Sequence, residues 1–87
     1  MILKELPSNQ RVFTTTEVGQ NGANIHYILM DSEGDIQVTG TKEVSSENAM
    51  IISMEQLLSL DSSLAEVNIE PNSRLFKATV DADWMPF

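Results

Sequence analysis

This chain of 87 residues is strongly acidic, with 13 carboxylates against 5 lysines and arginines and a formal net charge of −8. Its length predicts one small domain with a thin core. The absence of cysteine excludes disulfides and thiolate metal sites. No apolar run is long enough for a membrane span, and residues 1–7 are too short and too charged for a signal peptide. We therefore expect a cytoplasmic protein, whose charge opposes direct contact with nucleic acid or anionic lipid.

The N-terminal half carries three strand patterns. Residues 12–18 are rich in β-branched side chains, residues 25–30 are almost continuously apolar, and Ile36–Thr39 alternates apolar with polar. The nearly unbroken apolar run of the second segment is typical of a central strand covered on both faces. Turn residues separate the segments, with Asn21 and Gly22 in the first turn and Gly34 in the second. This pattern predicts an antiparallel meander.

The C-terminal half predicts a loop over residues 40–48, a short strand over 50–52, and a helix over 54–60. Ser53 and Gln56 have the spacing of a capping box, and Ser63 with Glu66 repeats it before a second helical turn. Residues 74–80 predict a last strand, with Phe76 sharing a face with every second residue after it. The predicted fold class is α+β. One domain over residues 1–87 would hold an antiparallel sheet of about four strands, in the order β-β-β-α-β, with one or two short helices on one face.

Candidate catalytic and metal sites are poorly matched. There is no cysteine, and the single histidine, His26, lies inside a predicted strand, where it is more often a packed or half-exposed side chain than a base. The acids from Asp31 to Asp35 alternate as in a calcium loop. However, an EF-hand needs glycine at position six and glutamate at position twelve, and here Gly34 is fourth and Lys42 twelfth. We predict no catalytic residue, no metal and no cofactor.

The acidic middle of the chain is the remaining signal. Residues 31–70 hold nine carboxylates and one base, while the acids and bases outside this range cancel. The predicted partner-binding residues are the carboxylates of the hairpin turn and of the loop after the third strand: Asp31, Glu33, Asp35, Glu43 and Glu47. If both loops lie at one end of the sheet, the five carboxylates converge. The alternative interpretation is a solvated surface that keeps a small domain in solution.

The segment Leu57-Leu58-Ser59-Leu60-Asp61-Ser62-Ser63-Leu64, preceded by Gly40 and Glu43 and followed by Pro71 and Trp84, carries a resemblance. It resembles the immunity-protein-thirty-three-like family of small bacterial domains, in which an "LLxLDPSL" helix precedes a turn, a final strand and a tryptophan. The chain differs from that pattern at Ser62 and Asn72, where the family has proline and glycine. The resemblance covers the C-terminal half and implies a role in binding and neutralising a toxin.

These observations predict an acidic protein-binding domain, an immunity or inhibitor protein that covers the surface of a basic toxin or enzyme. Two alternatives stay open. One is a phage or mobile-element protein whose carboxylates mimic the phosphates of DNA. The other is a non-catalytic module that oligomerises, for instance as a homodimer, and whose acidity serves solubility alone.

Overall fold

The computed structural model describes residues 1–41 and 46–87. They form an α+β fold with one mixed sheet of six strands, β1 to β6, and two α-helices, α1 and α2. The strands are β1 (Arg11–Thr15), β2 (Tyr27–Met30), β3 (Ile36–Thr39), β4 (Ala49–Ser53), β5 (Ser73–Phe76) and β6 (Met85–Pro86). The helices are α1 (Thr16–Gly19) and α2 (Met54–Leu60), and 3-10 helices span Leu3–Glu5, Ser46–Asn48 and Ser62–Glu66.

The sheet order is β4-β1-β3-β2-β5-β6, which corrects the predicted meander of about four antiparallel strands. β2 and β3 form the expected antiparallel hairpin, but β1 lies between β3 and β4 and runs parallel to β3. Parallel neighbours need a crossover connection. Here β2 makes the return by running antiparallel to β3. Helix α1 and the turn with Gly22, whose φ is 69°, connect β1 to β2, and these two strands are not paired with each other.

The first predicted strand is too long because it includes α1. The strand ends at Thr15, and the next four residues turn into a short helix whose Val18 is only 1% exposed. β-branched residues favour a strand, but the gain from burying Val18 against the sheet outweighs that local preference. The prediction of a strand buried on both faces at residues 25–30 also needs correction. β2 alternates half-buried with buried side chains, so it is fully buried on one face only.

Helix α2 confirms the sequence prediction over residues 54–60. The Ser53 hydroxyl accepts a hydrogen bond from the Gln56 amide at 3.0 Å, and the Gln56 side chain accepts one from the Ser53 amide at 2.9 Å. The following 3-10 helix is also present, but its cap is Asp61, whose carboxylate accepts from the Ser63 amide. The second predicted capping box was therefore wrong about the capping residue.

The last predicted strand, residues 74–80, is wrong beyond Phe76. β5 ends there, and the chain turns through an Ala82 amide that donates to the Thr79 carbonyl before β6 pairs with β5. The C-terminal residues therefore pack on the sheet. Pairing with β5 gives β6 the backbone partners that a two-residue strand needs.

The hydrophobic core lies between one face of the sheet and the helices. Ile28, Ile36 and Val38 of the central strands are fully buried against Leu57 of α2 and Leu64 of the 3-10 helix. Side chains that alternate along each strand point to opposite faces. The helical layer covers one of those faces, and this determines where the candidate site lies.

Candidate functional site

Neither α1 nor α2 lies on the second face of the sheet, since their buried side chains belong to the core on the first face. The accessible side chains of the second face alternate with the core residues, and we call this surface the open face: Arg11, Phe13, Tyr27, Leu29, Gln37, Ala49, Ile51, Ser53, Arg74, Phe76, Met85 and Phe87. Thr15 and Thr39 lie on the same side of the sheet but are buried. Ile51, Met85 and Phe87 are 54%, 58% and 44% exposed. Large apolar side chains left in solvent on one contiguous surface are typical of a binding surface.

The strand register arranges these side chains in rows across the sheet. Leu29 pairs with Gln37 on one side and with Arg74 on the other, and Phe13 pairs with Ile51 and with Gln37. Cross-strand partners on one face have Cβ atoms about 5 Å apart, so the row forms a continuous surface. A second row places Tyr27 beside Phe76.

Three aromatic rings form a cluster at the β2, β5 and β6 side of the open face. The rings of Tyr27 and Phe76 stack with centroids 6.3 Å apart, and Phe87 meets both edge-on at 5.7 and 5.5 Å. Edge-to-face and offset arrangements are the favoured geometries of aromatic pairs. The cluster borders a shallow depression of about 160 Å³ that Leu29 and Arg74 also line.

The only charged side chains of the open face are two arginines, and both lie over aromatic rings. The Arg74 guanidinium is 5.0 Å from the Phe87 centroid, and that of Arg11 is 5.9 Å from the Phe13 centroid. Both distances are within the range of a cation–π interaction. None of the carboxylates in ranges 1–41 and 46–87 belongs to the open face, so a chain with a net charge of −8 has a surface whose described charges are both positive.

Three of the predicted partner-binding acids lie together at one end of the open face, in the turn between β2 and β3. They are Asp31, Glu33 and Asp35, and we call this turn the Asp31 turn. Asp31 shapes the turn, because its carboxylate accepts from the amides of Glu33 and Asp35 at 2.9 and 3.0 Å. Gly34 adopts a φ of 86°, which a side chain would strain. In the described part of the chain no lysine, arginine or N-terminal amine lies within 4.0 Å of these three carboxylates.

The structure does not bring Glu47 to this group. Thr39, at the far end of β3 from the turn, pairs with Tyr27, and Glu47 precedes Ala49, which pairs with Thr15 at the far end of β1. Because β1 and β3 are parallel, both of these ends lie away from the Asp31 turn. Glu47 is therefore at the opposite end of the sheet. Glu43 lies outside the described residues.

The His, Asp and Glu side chains of the described residues form no metal-binding cluster, and the single histidine contacts the backbone. No group of three His, Asp or Glu side chains is placed to hold a metal ion in ranges 1–41 and 46–87. His26 is half-buried, and its Nδ1 lies 2.9 Å from the Lys77 carbonyl oxygen, so this ring nitrogen is engaged with the backbone.

Comparison with known proteins places no relative beside this chain: no family model, curated protein or solved structure shows a significant match. The resemblance to immunity proteins stays a prediction. In the same described ranges, the helices are too short and too polar for any of them to cross a bilayer.

Sequence reasoning missed the open face. Its signal was present as apolar or aromatic residues at alternate positions that face away from the core, namely Phe13, Tyr27 and Leu29. From sequence alone a strand that is apolar at every position indicates cover on both sides. Only the placement of α1 and α2 on the same side of the sheet shows that neither helix covers the second side.

Proposed function

We propose that this chain is a non-catalytic protein-binding domain whose open face docks on a basic protein and inhibits it by occlusion. The observation that carries the proposal is the open face itself, an aromatic and aliphatic surface free of carboxylates on a chain that is otherwise acidic. The resemblance to immunity proteins implies the same kind of role.

The composition of the open face supports protein docking. Interface centres are rich in Tyr, Phe, Met and Arg and poor in Asp, Glu and Lys. Tyr27, Phe76, Phe87 and Arg74 form one contiguous group in which each ring is held by its neighbours. Rings that are already ordered lose little side-chain entropy on binding, so this group is suited to anchor a partner.

The charges around the open face support a basic partner. The Asp31 turn supplies three carboxylates with no cationic partner among the described residues at one end of the sheet, and Glu47 lies at the other end. An apolar centre with charged residues around it is the usual anatomy of a protein interface. Acidic residues at the periphery steer a cationic partner and raise the association rate at low salt. The arginines on the face would bind carbonyl or carboxylate groups of that partner.

The test is affinity capture from a lysate of the source organism, followed by binding measurements with the purified captured protein. Two variants separate the two contributions. Glu33→Gln with Asp35→Asn removes charge from the turn and leaves the Asp31 hydrogen bonds in place. Ile51→Ser with Met85→Ser changes open-face side chains that are more than half exposed, so folding is retained.

Each variant has a matched control off the open face. Glu17→Gln with Glu55→Gln makes the same charge change on exposed residues of the helical layer, and Leu60→Ser with Val80→Ser removes equally exposed apolar groups. We expect the captured protein to be basic and the turn variant to slow association mainly at low salt. We also expect the open-face variant to weaken binding about tenfold or more. Equal binding by the open-face variant and its control contradicts the proposal.

A second candidate function is self-association through the open face. Ile51 and Met85 are more than half exposed on β4 and β6, the two edge strands of the sheet, so the apolar surface extends across its full width. Sedimentation equilibrium separates the candidates. A dimer that dissociates when Ile51 and Met85 are both changed to serine supports this second function, whereas a monomer at all concentrations supports docking of a different protein.

A further inference from the structure

Lys77 is a buried cation on the side of the sheet opposite the open face. The residue follows β5, and alternation after Arg74 and Phe76 directs its side chain toward the helical layer. It is only 7% exposed. Lysine is among the residues least often buried without a partner, because taking an ammonium out of water is costly. Its surroundings therefore need an explanation.

The contacts of Lys77 leave its charge uncompensated. Its Nζ donates to the Val80 carbonyl at the long distance of 3.4 Å and lies 5.0 Å from the centroid of the Trp84 ring. No carboxylate oxygen lies within 4.0 Å of it in the ranges that the structure describes. An ammonium has three hydrogens to donate. One weak hydrogen bond and one aromatic face leave donor capacity for a further acceptor.

Lys77 lines a cleft of about 270 Å³ between α1, the end of α2 and the turn after β5. We call it the Lys77 cleft. Val80, whose carbonyl contacts Nζ, also lines it, together with Asn24, Ile25, Leu60 and Ser63. The volume is just below the range of about 300–1,000 Å³ found for ligand pockets, so the cleft suits a molecule smaller than a drug.

The other charged group of the Lys77 cleft is Asp61, and it does not neutralise the lysine. Its carboxylate accepts from the Ser63 amide at 3.1 Å and from the Ser63 hydroxyl at 2.5 Å, where it caps the 3-10 helix. Its negative charge nevertheless disfavours a dianion in the same space. The lining of the cleft is mostly polar, and the apolar side chains that border it, including Ile25 and Leu60, suit a short hydrocarbon body only.

We propose that the Lys77 cleft binds a small organic monocarboxylate, with the carboxylate on Nζ of Lys77 and the hydrocarbon body against Ile25 and Leu60. The ligand supplies the missing negative charge and an acceptor for the ammonium hydrogens. Charge-assisted hydrogen bonds of this type are the strong ones in proteins. The proposal does not depend on the open face, because Lys77 contributes nothing to that surface.

The fluorescence of Trp84 offers a direct test, since it is the only tryptophan of the chain and lies against the Lys77 ammonium. The probe is sodium butyrate, titrated at constant ionic strength against sodium chloride. 1-Butanol serves as the uncharged analogue. We expect a saturable change with butyrate in the millimolar range and no saturable change with the chloride salt or the alcohol.

Two variants show whether Lys77 is responsible. Lys77→Met keeps most of the side-chain stem and removes the charge, and we expect it to weaken butyrate binding about tenfold or more. Lys4→Met makes the same change at an exposed lysine, and we expect it to leave binding unchanged. Amide chemical shifts of Asn24 and Ser63 locate the site in both proteins and in the wild type.

The stability of Lys77→Met separates a ligand site from a purely structural lysine. A variant as stable as the wild type that has lost butyrate binding supports the proposal, since removing an uncompensated buried charge is not costly. The proposal is overturned if butyrate binds Lys77→Met and wild type alike, or if no saturable change occurs in the wild type. The proposal is also overturned if Lys77→Met is destabilised but retains the butyrate response.

Discussion

At the scale of single residues, two buried threonines differ in whether the side-chain hydroxyl has a hydrogen-bond partner, and this difference should affect stability. Thr14 and Thr39 are both 3% exposed and both lie in strands of the sheet. The Thr39 hydroxyl donates to the Thr41 carbonyl at 2.7 Å. The Thr14 hydroxyl is buried and has no hydrogen-bond partner among the residues that the structure describes. A buried polar group without a partner costs stability, whereas a satisfied one contributes to it.

We therefore predict that the same substitution has opposite effects at these two sites. Thr14→Val replaces an unsatisfied hydroxyl with a methyl group of similar size and should raise the free energy of unfolding by about 1 kcal/mol. Thr39→Val removes a satisfied hydrogen bond and should lower it by about 1 kcal/mol. Urea denaturation of both variants measures the two effects, and a loss of stability in Thr14→Val would contradict the prediction.

The Lys4–Glu66 pair links the first and third 3-10 helices. The Lys4 Nζ lies 2.6 Å from the Glu66 Oε1 on the surface. The hydrogen bond to the Glu66 carboxylate, followed by the charge of that group, raises the pKa of Lys4 above its usual value of 10.5. A raised lysine pKa stabilises the fold below the unfolded pKa, and this contribution is lost as the pH rises through the folded pKa.

The prediction is that Glu66→Gln lowers the pKa of Lys4 and that the stability difference between wild type and variant narrows in strongly alkaline solution. Titration of the Lys4 side chain by NMR and thermal melts above neutral pH measure the two quantities. Because the pair is exposed, we expect only a small effect on stability at neutral pH. A Lys4 pKa that is unchanged in Glu66→Gln would refute the assignment.

At the scale of elements, helix α2 is stabilised mainly by burial of one face. Met54 and Leu57 are 1% and 0% exposed, whereas Leu60, three residues after Leu57, is 46% exposed. A helix of seven residues is too short to be stable alone, so tertiary packing must supply most of its stability. The capping box at Ser53 sets where it begins.

Two leucine-to-alanine substitutions in this helix test that interpretation. Leu57→Ala should lower the free energy of unfolding by about 2–5 kcal/mol, because it removes a fully buried side chain and leaves a cavity. Leu60→Ala should change it by less than about 0.5 kcal/mol. Both substitutions bring the same favourable helix propensity, so the difference measured by denaturant unfolding reports burial alone. Equal effects would show that propensity dominates.

At the scale of the whole molecule, the charges are segregated. The 13 acids outnumber the 5 bases, and the Lys4–Glu66 and Met1-amine–Glu70 pairs are both exposed. Most carboxylates of the described ranges have no cation beside them, and they therefore repel one another. Such self-repulsion destabilises the compact state and is reduced by salt. The described carboxylates lie outside the open face, so a basic partner would meet them at the periphery of that surface.

We predict that the melting temperature rises with sodium chloride. Between about 0.01 and 0.15 M salt the Debye length falls from about 30 to about 8 Å, which screens most carboxylate pairs. The double variant Glu33→Gln with Asp35→Asn should have a higher melting temperature than the wild type at low salt. Its melting temperature should also rise less than that of the wild type as salt is added. Differential scanning calorimetry measures both proteins. A melting temperature that falls with salt would mean that attractive pairs dominate.

Much of the local structure could be predicted, and the reasons are local. The capping box at Ser53, the strand from Ile36 and the glycine turn at Gly34 depend on interactions between residues close in sequence. The short strand preceding α2 was also confirmed. The end of β1 could not be predicted, because residues 16–18 have the composition of a strand. They form a helix because that conformation buries Val18. Strand β6 could not be predicted either, because its two residues depend on pairing with β5.

The amino-acid sequence by itself determined the α+β class, the position of helix α2, the β2–β3 hairpin and the acidity of the chain, because each follows from composition or from neighbouring residues. Tertiary structure alone decided that β1 runs parallel to β3, that Glu47 lies away from the Asp31 turn, and that the open face is uncovered. It also decided that Lys77 is buried. These features depend on contacts between segments distant in sequence, and no local pattern records which strand will become a neighbour.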